Sequence, residues 1–571
     1  NVVINEFLAH TDPPDEDFVE LHNHANTPVT LTGCFLTDDS STNKFQIPPM
    51  TIGARGFVAF TASQLGFNLG ASGEQIFLIH SNQTRVLDAV RFDSQENGVS
   101  MGRYPNGAPE FTRLITPTPG ASNTAPRVAE VVLNEIMYSP ISGQSDDEFV
   151  ELYNRTASSV NLAGWRLSGG ISFNFPAGTV LGPSNYAVVT PNAARLLANY
   201  PALNPGLVLG DYSGSLAGGG ERVTLTKPDE LVSTNNSVLV TNLIHIVVDE
   251  VTYNKGGRWG RWADGGGSSL ELVDPRSDHR RAMNWADSYE TNKAAWSTIE
   301  WTGVMDNGNG TCDSVQILMQ GAGECLVDNV EVIPQGGANL LSNPNFAANA
   351  TGWVFQGTHD TTTWQNTGGF GDNGGCLHVR ASFRGDTGAN RIRCPLTQTL
   401  NSGTTVTLRA KVRWLAGYPE ILVRLKGDYL EAAGRMSLPA GLGTPGARNS
   451  RYAVNAGPAI WEVNQNPILP AAGQSVVVTA RAYDPDTLPT FQLRYHLDPS
   501  ATVSTLAMVD NGTGGDAIAG DGLYSATIPG QAARTIVAFN LQATDNFAPA
   551  ATTRFPDDAP TRECLIRWGE T

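Results

Sequence analysis

The chain is short of charge, of usefully spaced cysteine and of long apolar runs. Only 16% of its 571 residues are charged, and 37 Lys and Arg face 55 Asp and Glu, a formal net charge of -18. A surface of that sign repels phosphate backbones, so nucleic acid is not an expected partner. No cluster of positive charge is present to hold an anionic membrane. No apolar run is long enough to span one, so membrane insertion is not expected either. None of the six cysteines lies in C-x-x-C spacing, which argues against zinc. The chain contains no nucleophile elbow, H-E-x-x-H, Rossmann fingerprint or kinase signature. An enzymatic reading would have to rest on carboxylates alone. No signal peptide opens the chain, which fits the expectation of a mature or trimmed secreted protein.

What is present is turn chemistry. Gly (60) and Pro (34) punctuate short apolar stretches that alternate with polar residues. That pattern predicts an all-β protein of serial sandwiches, and the length predicts about three to five domains. Helix signals are brief, as in "AARLLANY" at 193–200. Cys312 with Cys325, and Cys376 with Cys394, each bracket a short β segment. Both pairs are expected to close local disulfides in an oxidising compartment. Cys34 and Cys564 have no near partner.

One passage occurs twice. "VVINEFLAHTDPPDEDFVELHN" (2–23) returns as "VVLNEIMYSPISGQSDDEFVELYN" (131–154), and "PVTLTGCFLTD" (28–38) returns as "SVNLAGWRLSG" (159–169). "GEQIFLI" (73–79) returns as "GERVTLT" (220–226). The register holds across four strand-like segments, with insertions confined to loops, so this is a duplicated domain. The Asn5-Glu6 pair, Phe18 to Asn23, Leu31 to Gly33, Gly73-Glu74 and "GRYPNG" (102–107) resemble the bacterial lamin tail domain. That resemblance implies an immunoglobulin-like β-sandwich. The copies span 1–124 and 127–275, the second ending in "SSLELVDP" where the first has "SMGRYPNG".

"TPTPGASN" (116–123) joins the copies, and a relative, "GTPGARNS" (443–450), is expected to mark another boundary. Residues 276–335 are expected to form a small β segment or part of a jelly roll. Residues 336–448 open with "NLLSNPNFAANATGW" and are similar to carbohydrate-binding-module jelly rolls. Residues 451–571 resemble an Ig- or cadherin-like domain. The module order resembles the N-terminal region of large secreted planctomycete- or verrucomicrobia-type proteins, in which a CotH kinase-like domain follows.

Each candidate site carries two readings. Glu6 with Glu20, and Glu135 with Glu151, would lie close on neighbouring strands, as an acid–base pair or as structural carboxylates bonded to loop backbone. Asp510, Asn511, Asp516 and Asp521 alternate with glycines that let backbone wrap an ion, and Asp484, Asp486 and Asp545 are expected at the same end of that sandwich. Calcium is the expected cation; a self-bonded Asx turn is the other reading. Trp364 and Trp353 are the candidates for stacking on a sugar ring, whereas Trp414, inside "KVRWL", reads as core. The "RGD" at 384–386, the pair His22 and His24, and the Gly-rich "GDNGGC" (371–376) are treated as decoys.

The expected function is an extracellular, non-enzymatic adhesion or scaffold segment of a bacterial surface or matrix protein. Polysaccharide, other surface or matrix proteins, or further copies of the chain would be its partners. The alternative is a polysaccharide-targeting region of a larger secreted enzyme.

Overall fold

In the computed structural model, residues 1–235, 238–308, 310–372, 374–427 and 430–569 are described. The fold is almost wholly antiparallel β, as composition predicted, with short α-helices at Ala62–Leu65 and Ala193–Asn199. Among the described residues no helix is long and apolar enough to cross a membrane.

The first module is a sandwich. One sheet runs Phe111–Arg113, Met101–Arg103, Val2–Leu8, Phe18–Asn23 and Phe57–Thr61. The other runs Phe45–Gln46, Phe35–Thr37, Gly73–Ile79 and Val86–Asp93. Ile4, Val19, Leu21, Leu36, Ile76 and Leu78 meet between them, each at most 0% exposed. Alternation along each strand sends these side chains inward, and that burial is the main drive for the fold.

The second module repeats this plan from Val131–Met137 and Phe149–Asn154. In both, the pairing slips by one residue just before the glutamate, between Ile4 and Glu6 and between Leu133 and Glu135. The bulge residues are Asn5 and Asn134, which explains why the Asn-Glu pair is repeated. The second copy differs in a long hairpin, Gly220–Asn235 with Val238–Asn254. It lies against the first module through Lys227 on Glu96 (2.5 Å) and the Asn97 N–H donating to Asp229 (3.2 Å).

One expected boundary, at 443–450, is corrected. Residues 276–335 take the second of their two expected forms, part of the jelly roll, from Ser297 onward. Trp285–Asp287 completes the first sheet of the second module, while Ser297–Val304, Thr311–Met319 and Gly323–Pro334 join the jelly roll. That jelly roll has one sheet of Ser297–Val304, Thr405–Gly417, Gly323–Pro334, Cys376–Ala381 and Thr363–Gln365. Its second sheet holds Val354–Gln356, Arg391–Asn401, Thr311–Met319, Glu420–Leu425 and Glu431–Arg435. Its core is continuous with Met137, Phe149, Val188 and Leu196 of the second module, so the two are welded. The stretch 443–450 is not a linker: it returns to the second module, as described below. The jelly roll is therefore an insertion within that module.

The last sandwich packs Ala459–Asn466, Val476–Tyr483 and Leu523–Ile528 on a sheet built around Thr490–Leu497 and Ile536–Thr544.

The predicted disulfides are not found in the structure: the Cys312 thiol donates to the Ser314 carbonyl (3.2 Å), and neither expected pair is bridged. Cys312 and Cys325 belong to opposite sheets of the jelly roll, as do Cys376 and Cys394, and facing sheets stand about 10 Å apart. A bridge needs Cα atoms within about 7 Å. Burial pushes the thiols of Cys376 and Cys394 up to about 11.

Candidate functional site

The repeated carboxylates form two clasps. Glu6 lies directly opposite Glu20, and Glu135 opposite Glu151, all four fully buried. In the first clasp, Glu6 accepts from the Thr118 N–H (2.9 Å) and Thr118 Oγ1 (2.8 Å), while Glu20 accepts from the Gly120 N–H (2.6 Å) and Asn5 Nδ2 (3.0 Å). Asn123 closes it, donating to the carbonyls of Asn5 (3.1 Å) and Arg103 (2.8 Å).

The second clasp repeats every bond. Glu135 accepts from the Thr444 N–H (2.7 Å) and Oγ1 (3.3 Å), Glu151 from the Gly446 N–H (2.5 Å) and Asn134 Nδ2 (2.7 Å). Asn449 donates to the carbonyls of Asn134 and Leu272, 2.9 Å each. Gly120 (φ +84°) and Gly446 (φ +76°) hold left-handed backbone, which a side chain would strain. Thr118-Pro-Gly120 and Thr444-Pro-Gly446 are thus one device used twice. The second is supplied from beyond the inserted jelly roll.

Burial pushes Glu20 up to about 7, against the lowering pull of its bonds to Asn5 and Gly120. Burial also drives Glu135 and Glu151 upward, each helped by a neighbouring glutamate. In the second clasp Glu271 stands where the first has Gly102. It binds Thr444 Oγ1 (2.8 Å), Ser450 Oγ (2.8 Å) and the Arg451 N–H (2.7 Å). A general acid–base pair needs substrate access and separated pKa values. These carboxylates are sealed and spend their lone pairs on backbone.

The acidic loop divides the six predicted cation ligands. Carboxylate oxygens of Asp510, Asp516 and Asp521 lie within 4.8 Å of one another, the single such group found among the described residues. Asp510 accepts from the N–H groups of Gly520 (2.5 Å) and Gly522 (2.8 Å), and Asp516 from Gly512 (2.5 Å) and Ile518 (3.0 Å). Asn511 turns instead to Thr513, at 3.1 Å from its N–H and 2.6 Å from its hydroxyl. Asp484 and Asp486 are not in the group, which corrects their expected role. Asp486 pairs with Arg276 of the second module (2.8 Å), and Asp484 accepts from the Asp486 N–H (2.7 Å). Asp545 accepts from Asn455 Nδ2 (2.8 Å) beside them. Burial, then the Asp545 and Asp486 charges, push Asp484 up to about 7. The sequence placed these acids at one end of the sandwich; it did not show the arginine that takes Asp486.

The two sugar-stacking candidates serve the jelly-roll core. Trp353 is 7% exposed, packs 5.1 Å from Phe346 and donates to the Asn343 carbonyl (3.0 Å). Trp364 is half-buried on the same core, its N–H spent on the Phe346 carbonyl (2.7 Å). Trp414 is fully buried, as expected. Asp386 caps its own loop, with bonds from Asn390 first among those that hold it down to about 2. His22 donates from Nδ1 to the Gly56 carbonyl (3.1 Å) and is driven down to about 4 by burial, hence neutral. In "GDNGGC", Asn373 lies outside the described residues.

A cavity of about 460 Å³ lies where the first, second and C-terminal modules meet, with Phe111, Trp461 and Tyr483 in its wall. Arg113 pairs there with Glu96, and Arg281 with Glu110 and Asp278. Of these, Arg281 to Glu110 crosses from the second module to the first, as Arg276 to Asp486 crosses from the second to the last.

Residues 124–255 match the Lamin Tail Domain. The match covers the second module up to its long hairpin and stops before Leu270–Leu272, Trp285–Asp287 and the returning clasp. The first lamin-tail-like module shares its strand order, its bulge and its clasp. No curated protein matches the chain. Among solved structures, a DUF4785 family protein of Legionella pneumophila subsp. pneumophila str. Philadelphia 1 matches at 8% identity and a TM-score of 0.14. The alignment covers 49% of this chain and 63% of that one, so the chain spans less than two thirds of its length. So slight a likeness carries no argument.

Proposed function

We propose that this chain is a stiff, non-catalytic scaffold segment that works outside the cell, holding β-sandwich modules in fixed orientation for adhesion to polysaccharide or to surface and matrix proteins. The observation that carries this reading is the second clasp. It ties the exit of the jelly roll back into the lamin tail domain it interrupts, so neither can swing freely. Sealed carboxylates, a core shared by two modules and ion pairs across module boundaries all favour rigidity over turnover. The same geometry would serve the targeting region of a larger enzyme.

Small-angle scattering of the full chain tests the reading. A rigid arm gives one particle shape, and Asn449→Ala, which empties the clasp, lengthens it. A wild-type profile typical of beads on a flexible string would overturn it.

Calcium is the second element of the proposal, favoured by the convergence of Asp510, Asp516 and Asp521. Hard oxygen ligands in a flexible Gly-rich loop suit that ion. Titration calorimetry with calcium chloride should give one site, lost in the double variant Asp510→Asn, Asp516→Asn.

A further inference from the structure

The cavity between the first, second and C-terminal modules reverses the charge balance of the chain around it. Eight arginines and six carboxylates line it, whereas the whole sequence has 37 Lys and Arg against 55 Asp and Glu. The excess gathers on one carboxylate. Glu96 takes Arg113, Lys227 (2.5 Å) and Arg127 (3.5 Å). Other acids that act on these cations are engaged elsewhere: Asp249 with His279 Nδ1 (2.9 Å) and the Leu133 N–H (2.7 Å), Asp229 with the Asn97 N–H (3.2 Å). Glu130 is exposed to solvent. Burial, and then Arg127, push Arg113 down to about 10; burial, then Arg113 and Arg127, push Lys227 down. Arg113 is already engaged, with Glu96 and with the carbonyls of Val247 (3.2 Å) and Val248 (3.4 Å). Arg127 is the open arm. Glu96 is its sole ionic partner among the described residues, and its side chain is 38% exposed. Beside it the wall is apolar, with Val99, Met101, Phe111 and Val248 lining the same cavity. Phe111 and Arg113 share one face of their strand, two residues or about 7 Å apart. The Arg127 N–H donates to the Arg113 carbonyl (2.8 Å), which sets Arg127 next to it.

We propose that this cavity binds a small aryl carboxylate, its ring against Phe111 and its carboxylate on Arg127. Its volume, about 460 Å³, is that of a small-molecule site, for which roughly 300–1,000 Å³ is usual. A guanidinium fork matches a carboxylate, and the charge excess around Glu96 favours an anion over a neutral ligand. An inorganic anion would leave the apolar wall wet, and a neutral ring would leave the cations uncompensated, so the two walls together select one class. The cavity is reachable: Arg91 is exposed and the Arg222 side chain is 49% exposed, and both line it. Three modules supply its walls, so a bound ligand also holds them together, and the melting temperature should rise with ligand concentration. Occupancy requires neither calcium at the acidic loop nor an adhesive role, so each of these fails on its own experiment.

Titration calorimetry of the full chain with sodium cinnamate tests it. One saturable site is expected, weakened about tenfold or more in Arg127→Ala by the loss of a charge-assisted bond. Glu96→Gln keeps the shape and removes the carboxylate that competes with the ligand, so it should tighten binding several-fold. A purely structural role for these residues would not give opposite signs. Cinnamyl alcohol, which has the ring without the charge, and inorganic phosphate, which has the charge without the ring, should each bind about tenfold more weakly or less. Absence of saturable cinnamate binding, equal binding of the alcohol or of phosphate, or unchanged affinity in Arg127→Ala would each overturn the proposal. So would weaker binding in Glu96→Gln when its circular dichroism and melting match the wild type.

Discussion

Glu20 accepts one bond from Asn5 and one from the Gly120 N–H, and it is fully buried. Glutamine keeps the shape but must turn its NH2 toward one of two donors. Leaving a buried donor unmet costs about 1–3 kcal/mol. Glu20→Gln is therefore expected to lower the unfolding free energy of the first module by that amount, read as a lower urea midpoint. The pH dependence follows from the same residues. A carboxylate whose folded pKa is raised favours folding below its unfolded value near 4.5, and the benefit is lost as pH rises through the folded value. Glu20 and Asp484 lose it near 7. His22 and His359, driven down to about 4 by burial, act oppositely, but only below the unfolded histidine value of about 6.5. Stability should thus fall as pH rises from about 6.5 through 7, and Glu20→Gln should flatten that fall; thermal melts across the range check it. The facing of Glu6 and Glu20 was legible, because a repeated Asn-Glu and an alternating strand leave few registers. Asn123 and Asn449 were not legible as the partners of Asn5 and Asn134, lying 118 and 315 residues away in sequence. Asn23 and Asn154 were also missed, though the NH2 of each ties its loop to three surrounding carbonyls.

At the scale of elements, periodicity was a good guide to strands and a poor one to where modules close. Alternation of two residues marks which side of a strand is buried, and both sandwich duplicates followed from it. The cysteine pairs misled for a related reason. Closeness in sequence suggested hairpins, yet each chain segment crosses from one jelly-roll sheet to the other between its two cysteines. The repeated Thr-Pro-Gly looked like a linker because linkers and clasps use the same residues: a proline that stiffens and a glycine that takes left-handed backbone. Only the second set of partners, across the inserted jelly roll, tells them apart. The consequence is testable. A fragment 127–290 leaves Asn134, Glu135 and Glu151 without the bonds from Thr444, Gly446 and Asn449. Several buried polar groups losing partners at about 1–3 kcal/mol each exceed much of a domain's net stability. That fragment should be unfolded or aggregated by circular dichroism and gel filtration, while 127–452 should melt cooperatively.

At the scale of the molecule, one arginine ties the C-terminal sandwich to the second module. Arg276 reaches from the second module to Asp486 (2.8 Å), to the Val454 carbonyl (2.9 Å) and over the Phe547 ring (5.1 Å). Its removal would leave Asp484, Asp486 and Asp545 facing one another uncompensated. The acidic loop forms the other support, against the first module: a Cβ on Gly522 would lie 3.0 Å from Pro105, so the loop has no slack there. In the proposed calcium-bound state, Asp510, Asp516 and Asp521 would be neutralised and the loop would be rigid where it meets that module. Without the ion, their mutual repulsion would open it. Sedimentation velocity with calcium and then with excess EDTA separates the outcomes. The expected result is constant mass with a lower sedimentation coefficient in EDTA, a change abolished in Asp510→Asn, Asp516→Asn and exaggerated in Arg276→Ala. A large assembly that dissolves in EDTA would instead place calcium between copies of the chain. A coefficient indifferent to calcium would leave the Arg276 contacts, and not the acidic loop, as what holds the last module to the arm.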